Sequence, residues 1–211
     1  MRVLSRIDRL IDHTDQSLKA LFTHAPADPY PETVPRAQDT LSDRDRTLAA
    51  RLMRVNHAGE IAAQALYQGH ALCAAQPEVH EVMRTAGREE LTHLQWMAAR
   101  LRELKSRPSY LTPVWYAGSF AIGAATALLG DAVSLGFVAE TERQVVAHLE
   151  GHLQRLPEAD RKSRVILEHM VQDEARHATR AMEKGGVHLP LPVRLGMRLA
   201  ARVMTRTAFW V

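Results

Sequence analysis

Two pairs of a glutamate and a histidine, three residues apart, are the side chains of this sequence best suited to bind a metal. They are Glu90 with His93 and Glu174 with His177. Residues three apart lie on one face of an α-helix, so each pair offers a carboxylate and an imidazole in the same direction. A single pair of this kind means little in a chain with 24 acidic residues and 11 histidines.

The pattern becomes specific because a lone glutamate precedes each pair at nearly the same distance. Glu60 lies 30 residues before Glu90, and Glu142 lies 32 residues before Glu174. In carboxylate-bridged di-iron bundles, two helices each give a glutamate and two others each give a Glu-x-x-His pair. The spacing therefore predicts a duplicated helix pair around two iron ions per chain. The predicted ligands are Glu60, Glu90, His93, Glu142, Glu174 and His177.

The sequence around both motif glutamates is apolar at helical spacing. Glu90 is in register with Met83 and Leu94, and Glu174 is in register with Met170. A carboxylate buried on such a stripe is costly without a partner. An arginine or lysine on the same stripe would be a structural alternative to a metal, but neither stripe carries one. Two ferrous ions would balance four glutamates if both histidines are neutral.

Glu140 and Glu142 are both candidates for the remaining glutamate ligand. Residues two apart point to roughly opposite sides of a helix. Glu142 is in register with apolar residues such as Val138 and Val145, whereas Glu140 is followed one turn later by Arg143. We therefore predict that Glu142 is the ligand and that Glu140 lies in the layer of residues outside the ligands.

Four neighbouring side chains are candidates to support the ligands: Asp173, Tyr67, Glu140 and His148. Asp173 can accept a hydrogen bond from the outer ring nitrogen of a liganding histidine and orient it. A solvated surface aspartate is an equally good interpretation. Tyr67 either approaches the site or fills the core. For His148, as for His57 and His152, a structural role is the favoured alternative.

The elements that must position these residues are helices. The chain is 46% hydrophobic and 5% aromatic, and the prominent residues Ala, Leu, Arg and Glu favour helices. Prolines and caps predict helices over residues 42–75, 77–106, 158–184 and 193–210. Another runs without a proline or polar break from Pro113 to Pro157. Strand patterns are missing from the sequence, so the predicted fold class is all-α.

Residues 1–41 are predicted to precede the metal-binding domain, which spans residues 42–211. Met1 to Phe22 has the apolar spacing of one helix face, and a proline-rich linker follows. The acidic residues of this stretch argue against a mitochondrial presequence, and it has no apolar run typical of a signal peptide. The single cysteine, Cys73, excludes an internal disulfide or a thiolate cluster and fits a reducing compartment.

Two segments indicate contact with a membrane. Val114 to Gly130 is seventeen residues without a charge, which is short for a transmembrane helix and is also expected of a buried crossover between helix pairs. The last predicted helix carries arginines every four residues, at Arg194, Arg198, Arg202 and Arg206. A basic amphipathic helix is typical of a membrane surface, with a solvated bundle face as the alternative. The net charge of +3 agrees with an anionic surface or with nucleic acid.

Four segments closely resemble the demethoxyubiquinone hydroxylase family of ubiquinone biosynthesis. They are LMRVNHAGEIAAQALYQGHA, REELTHLQWM, FVAETERQVVAHLEGHL and QDEARHATRAMEKGG. The resemblance runs from about Ser42 to the C-terminus. It implies a ferritin-like four-helix bundle. With the segments described above, the predicted fold is this bundle with a long apolar crossover and extra N- and C-terminal amphipathic helices. The resemblance also implies a di-iron monooxygenase whose ligand pattern falls on the same six residues.

The resemblance implies a polyprenylated quinone substrate, molecular oxygen and an external reductant, for which NADH is one candidate. It further implies a peripheral protein on the cytoplasmic face of a bacterial inner membrane, other ubiquinone-biosynthesis proteins as partners, and no nucleic acid. Two alternatives stay open: a ferritin-like tRNA hydroxylase, which suits the basic charge, and an iron-storage or iron-binding protein.

Overall fold

The structure is a computed structural model that describes residues 29–36 and 40–211. Within these ranges the regular secondary structure is helical and strands are absent, which confirms the all-α prediction. The helices are α1 (Asp43–Cys73), α2 (Pro77–Glu103), α3 (Thr112–Ala127), α4 (Asp131–Arg155), α5 (Arg161–Glu183) and α6 (Leu191–Trp210). The predicted helix from Met1 to Phe22 and most of the linker lie outside the described residues.

Four of these helices form the bundle that the ligand spacing predicted. α1 packs against α2, and α4 packs against α5. One buried apolar cluster, which includes Leu52 and Leu167, joins the four helices at one end of the bundle. A second cluster, which includes Met83 and Leu135, joins them at the other end. The predicted ligands lie in the middle of their helices, between the two clusters.

Local signals set where the bundle helices begin. Ser42 caps α1, because its Oγ accepts a hydrogen bond from the backbone nitrogen of Asp45 at 3.1 Å and donates one to the Asp45 carboxylate at 2.7 Å. This confirms the predicted capping of α1. Asp160 caps α5 in the same way through the backbone nitrogen of Ser163. α5 therefore begins at Arg161, three residues later than predicted.

The chain breaks between α3 and α4, where the sequence predicted one uninterrupted helical run. Gly130 has a φ of 108°, a conformation that residues with a side chain rarely adopt. The break lets α3 leave the bundle and cross the outer side of α1. At the crossing, a Cβ added to Gly69 would lie 2.3 Å from the backbone oxygen of Phe120. The two helices therefore pack backbone to backbone, which needs glycine.

Only one side of α3 is covered by the bundle. Tyr116 is buried against α1, but Val114, Ile122 and Leu128 are exposed. The prediction that the apolar crossover is buried is therefore correct for one face only. No helix in the described ranges combines the length and the apolar character that crossing a membrane requires.

α6 lies outside the four-helix bundle, and Ala208 is its one buried residue. Near its beginning, Arg194 Nε lies 3.1 Å from the Glu140 carboxylate of α4. Near its end, the Arg51 guanidinium lies 4.3 Å from the centre of the Trp210 ring. Arg194, which the sequence predicted as part of the basic stripe, thus pairs with the bundle, although its side chain is still 40% exposed. Arg198, Arg202 and Arg206 are exposed, as the stripe requires.

A buried ion pair joins α2 to the start of α5. Arg100 and Asp160 are 2% and 0% exposed, and Arg100 Nη2 lies 2.7 Å from Asp160 Oδ1. Arg100 Nε also donates a hydrogen bond to Ser163 Oγ at 2.9 Å. Asp160 is also the cap of α5, so the pair fixes the beginning of the helix that carries Glu174 and His177.

Replacing Arg100 by methionine should lower the free energy of unfolding by about 3 kcal/mol, because the Asp160 carboxylate would stay buried without its cation. Urea unfolding followed by circular dichroism measures the change. Arg84→Met is the matched control, since Arg84 forms an exposed pair with Glu81 on the same helix and should lose less than about 1 kcal/mol. Equal losses in the two variants would contradict a special role for the buried pair.

Candidate metal centre

The six predicted ligands converge in the middle of the bundle. Glu60 comes from α1, Glu90 and His93 from α2, Glu142 from α4, and Glu174 and His177 from α5. Each of these side chains is at most 3% exposed. The structure thus brings together every residue that the motif spacing selected.

These side chains form two overlapping groups. The first contains Glu60, Glu90, His93 and Glu174, and the second contains Glu90, Glu142, Glu174 and His177. Within each group the candidate ligand atoms all lie within 4.8 Å of one another. Glu90 and Glu174 belong to both groups, as expected of glutamates that bridge two ions, whereas Glu60 and Glu142 belong to one group each. The sequence did not reveal this division.

Both histidines turn Nδ1 toward the shared glutamates. His93 Nδ1 lies 3.1 Å from Glu174 Oε1, 3.6 Å from Glu90 Oε2 and 3.6 Å from Glu60 Oε2. His177 Nδ1 lies 3.1 Å from both Glu90 Oε1 and Glu174 Oε2. The nitrogen that can bind a metal is therefore Nδ1 in both rings.

The outer nitrogen of each histidine contacts a carboxylate. His93 Nε2 lies 3.0 Å from Asp173 Oδ2, and His177 Nε2 lies 2.5 Å from Glu89 Oε2. A carboxylate at Nε2 holds the proton there and leaves the Nδ1 lone pair free for a metal. Each carboxylate directly precedes the motif glutamate of the opposite helix. Asp173 was a predicted candidate, but Glu89 was missed, although both motifs read acid-Glu-x-x-His.

The four glutamates place four carboxyl groups close together in the buried interior. Burial and the neighbouring carboxylates raise the pKa of Glu60 and Glu142 well above the usual value. Burial also opposes ionisation of Glu90, but contact with His177 and His93 outweighs it and lowers its pKa. For His177, burial acts against protonation, yet contacts with Glu174 and Glu90 raise its pKa to about 12. The site therefore attracts positive charge strongly.

The arrangement fits a pair of divalent metal ions. Within the described residues, five atoms that could bind a metal make no well-directed hydrogen bond, although some of them lie near one another: Glu60 Oε2, Glu90 Oε1, His93 Nδ1, Glu142 Oε2 and Glu174 Oε1. A buried polar atom without a partner costs about 1–3 kcal/mol, so such a cluster is expected only where a ligand completes it. Oxygen and nitrogen donors without a thiolate suit iron or manganese.

Comparison with known proteins places the whole of this site in one family. Residues 47–208 match the family described as ubiquinone biosynthesis protein COQ7. The chain belongs to the COQ7 family. This range contains all six predicted ligands and both outer carboxylates, Asp173 and Glu89.

Several relatives cover almost the full chain, and each is named 3-demethoxyubiquinol 3-hydroxylase. The protein of Nitrosospira multiformis is 55% identical over 99% of this chain and 100% of its own length. That of Bordetella parapertussis is 52% identical over 97% of this chain and 93% of its own length. That of Nitrosococcus oceani is 51% identical over 100% of this chain and 99% of its own length. The similarity therefore extends well beyond the ligand motifs.

The remaining supporting candidates occupy different positions in this COQ7 chain. Tyr67 OH donates a hydrogen bond to Glu142 Oε1 at 2.7 Å, and burial together with the Glu142 charge raises its pKa. Glu140 instead accepts a hydrogen bond from Gln144 and pairs with Arg194 of α6. The His148 ring packs against His152, with ring centres 4.0 Å apart. Tyr67 thus supports a predicted ligand directly, whereas Glu140 contacts Gln144 and Arg194, and His148 contacts His152.

Removing either outer carboxylate should weaken ferrous iron binding. Asp173→Asn and Glu89→Gln should each reduce the affinity about 10- to 100-fold, because the histidine would lose the group that fixes its proton and ring orientation. Titration of the metal-free protein with ferrous iron against a competing chelator measures this. Glu81→Gln is the control, since Glu81 lies on the same helix as Glu89 and pairs with exposed Arg84. Wild-type affinity in both outer variants would count against their orienting role.

Proposed function

We propose that this chain is a di-iron monooxygenase that hydroxylates the ring of a polyprenylated demethoxyubiquinol in ubiquinone biosynthesis. One observation carries the proposal: in a COQ7-family chain, the duplicated Glu-x-x-His motifs meet in two buried groups that share Glu90 and Glu174. The family favours this function over the tRNA hydroxylase and iron-storage alternatives. The test is conversion of a demethoxyubiquinol by purified, iron-loaded protein supplied with oxygen and reductant.

The residues of the metal centre have distinct roles in this reaction. Two iron ions, when bound, supply the redox chemistry that activates dioxygen. Glu90 and Glu174 would hold both ions, while Glu60 with His93 and Glu142 with His177 would each complete one position. Asp173 and Glu89 hold the histidine protons on the outer side. Burial keeps bulk water from the reacting ring, which strengthens the electrostatic interactions there.

We also propose that the protein works as a peripheral protein on the cytoplasmic face of a bacterial inner membrane. The substrate tail is apolar, so its ring must be taken up from a bilayer. The turn that follows α3 exposes Leu128 and Leu129, and α6 exposes Leu195, Leu199 and Val203. Exposed arginines alternate with these apolar residues on α6, an arrangement that suits anionic headgroups. The bacterial origin of the relatives supports the proposed compartment.

Replacing Arg198, Arg202 and Arg206 together by glutamine should weaken binding to anionic vesicles by more than tenfold. Each basic residue near an anionic surface contributes about 1 kcal/mol. Co-sedimentation with phosphatidylglycerol-containing vesicles measures binding, and circular dichroism checks that the helices persist. Arg194→Gln is the internal comparison, because Arg194 is already paired with Glu140 and should change vesicle binding less. Unchanged binding of the triple variant, or no binding by the wild type, would reject the surface assignment of α6.

A further inference from the structure

One buried amide beside the metal centre has no part in holding the ligands. Gln64 lies on α1 one turn after Glu60 and is 4% exposed. Among the described residues, no group donates a hydrogen bond to its carbonyl oxygen, Oε1. A buried carbonyl left unpaired costs about 1–3 kcal/mol. Such an atom is expected where a ligand supplies the missing donor.

The position of Gln64 places this carbonyl next to the site. Residues four apart are stacked on one helix face, so Gln64 follows Glu60 by about 6 Å along α1. Tyr67, which reaches across the bundle to Glu142, lies three residues further on the same face. On the facing helix α2, Gly87 precedes Glu90 by three residues. The amide thus borders the layer of glutamates on the side of α1 and α2.

Gly87 presents no side chain to the amide across the contact between these helices. A Cβ built on Gly87 would lie 3.8 Å from Gln64 Oε1 and 3.5 Å from Tyr67 Cβ, which are ordinary contact distances. A side chain larger than that of alanine at residue 87 would therefore press against the amide and Tyr67. Beyond Gly87, Met83 and Ala86 belong to a buried apolar cluster. One polar acceptor set among apolar walls is the usual composition of a site that binds an aromatic ring with polar substituents.

We infer that Gln64 orients the substrate ring by accepting a hydrogen bond from one of its hydroxyl groups. This inference rests on the proposed function, because it takes a hydroquinone as the substrate. A quinol hydroxyl is a donor, whereas the corresponding quinone oxygen is only an acceptor. In this orientation of the amide, the Gln64 carbonyl accepts a hydrogen bond from the reduced ring and holds one of its two oxygens beside Glu60. Gln64 acts as a specificity-determining residue of the ring site.

The test compares a short-chain demethoxyubiquinol with its two monomethyl ethers, each of which lacks one hydroxyl donor. Binding to the iron-loaded protein is measured at equilibrium without oxygen, so no turnover contributes. For the wild type, one of the two ethers should bind about tenfold more weakly than the quinol. In Gln64→Met, the quinol should bind about tenfold more weakly than in the wild type, and that ether should lose no further affinity. Gln64→Leu gives the same test if the methionine variant does not fold.

Gln68→Met is the matched control, because Gln68 lies on the next turn of α1 and hydrogen-bonds Tyr116. This variant should keep the wild-type difference between quinol and ether. Equal ether sensitivity in Gln64→Met and the wild type, or its loss in Gln68→Met as well, would overturn the role of Gln64 alone. A wild-type protein that binds neither quinol nor ethers would overturn the proposed function, and the inference with it.

Discussion

Glu174→Ala should leave almost no tightly bound iron, whereas Glu142→Ala should retain about half of the wild-type content. The reason is that Glu174 belongs to both ligand groups and Glu142 to one. Glu90→Ala should behave like Glu174→Ala, and Glu60→Ala like Glu142→Ala. Loss of an outer partner of a ligand already costs about 10- to 100-fold in affinity or activity. Loss of a ligand itself should therefore reduce turnover by more than about 100-fold in all four variants.

Glu140→Ala is the control that makes this prediction specific. Glu140 is buried on the same helix, only two residues from Glu142, but its carboxylate pairs with Arg194 and Gln144. It should keep the wild-type iron content of about two per chain and loosen only the docking of α6. Iron is counted by elemental analysis after gel filtration. Equal iron loss in Glu140→Ala and Glu142→Ala, or full loss in every ligand variant, would contradict the division into two groups.

Spacing along the helices was sufficient to select the six residues, because a helix fixes the rise and the direction of each side chain. Glu90 and His93 share a face, Glu142 lies on an apolar stripe, and Glu60 precedes Glu90 at nearly the distance that separates Glu142 from Glu174. A bundle that buries the apolar faces must then bring these side chains together. Residues outside those faces could not be found in this way. Glu89 is turned about 100° from Glu90 on the helix, and its contact with His177 depends on where α5 lies. Only the repeat of an acidic residue before each motif glutamate pointed to it.

The crossover and the last helix show where local patterns stop being informative. The segment before Gly130 is rich in alanine and contains two other glycines, so Gly130 gave no distinct signal for a break, which depends on the positive φ at that residue. The four arginines of α6 are equivalent in sequence. Their difference arises because α6 passes over α4 at Arg194, where Glu140 is within reach. Both outcomes depend on how helices cross, which spacing within one helix does not encode.

The wild-type protein should insert one atom of molecular oxygen into the ring of a demethoxyubiquinol. The second oxygen atom leaves as water, so two electrons come from the ring C–H bond and two from an external reductant. Reductant should therefore be consumed one-to-one with product. Labelled dioxygen should add one heavy atom to the ring, as measured by mass spectrometry. Labelled water should leave the new hydroxyl unlabelled, apart from exchange at quinone carbonyls.

Glu90→Ala and His177→Ala should abolish this incorporation while the helical circular dichroism signal persists. Both residues lie between the two apolar clusters that hold the bundle together. Loss of the metal should therefore abolish the activity without unfolding the bundle. A bacterial cell that lacks the gene should accumulate the quinone missing this oxygen, and only the wild-type gene should restore ubiquinone. Normal ubiquinone in that cell, with no second hydroxylase present, would count decisively against the assignment. Label from water in the new hydroxyl would instead reject the oxygenase mechanism, because the inserted oxygen atom would then come from water and not from dioxygen.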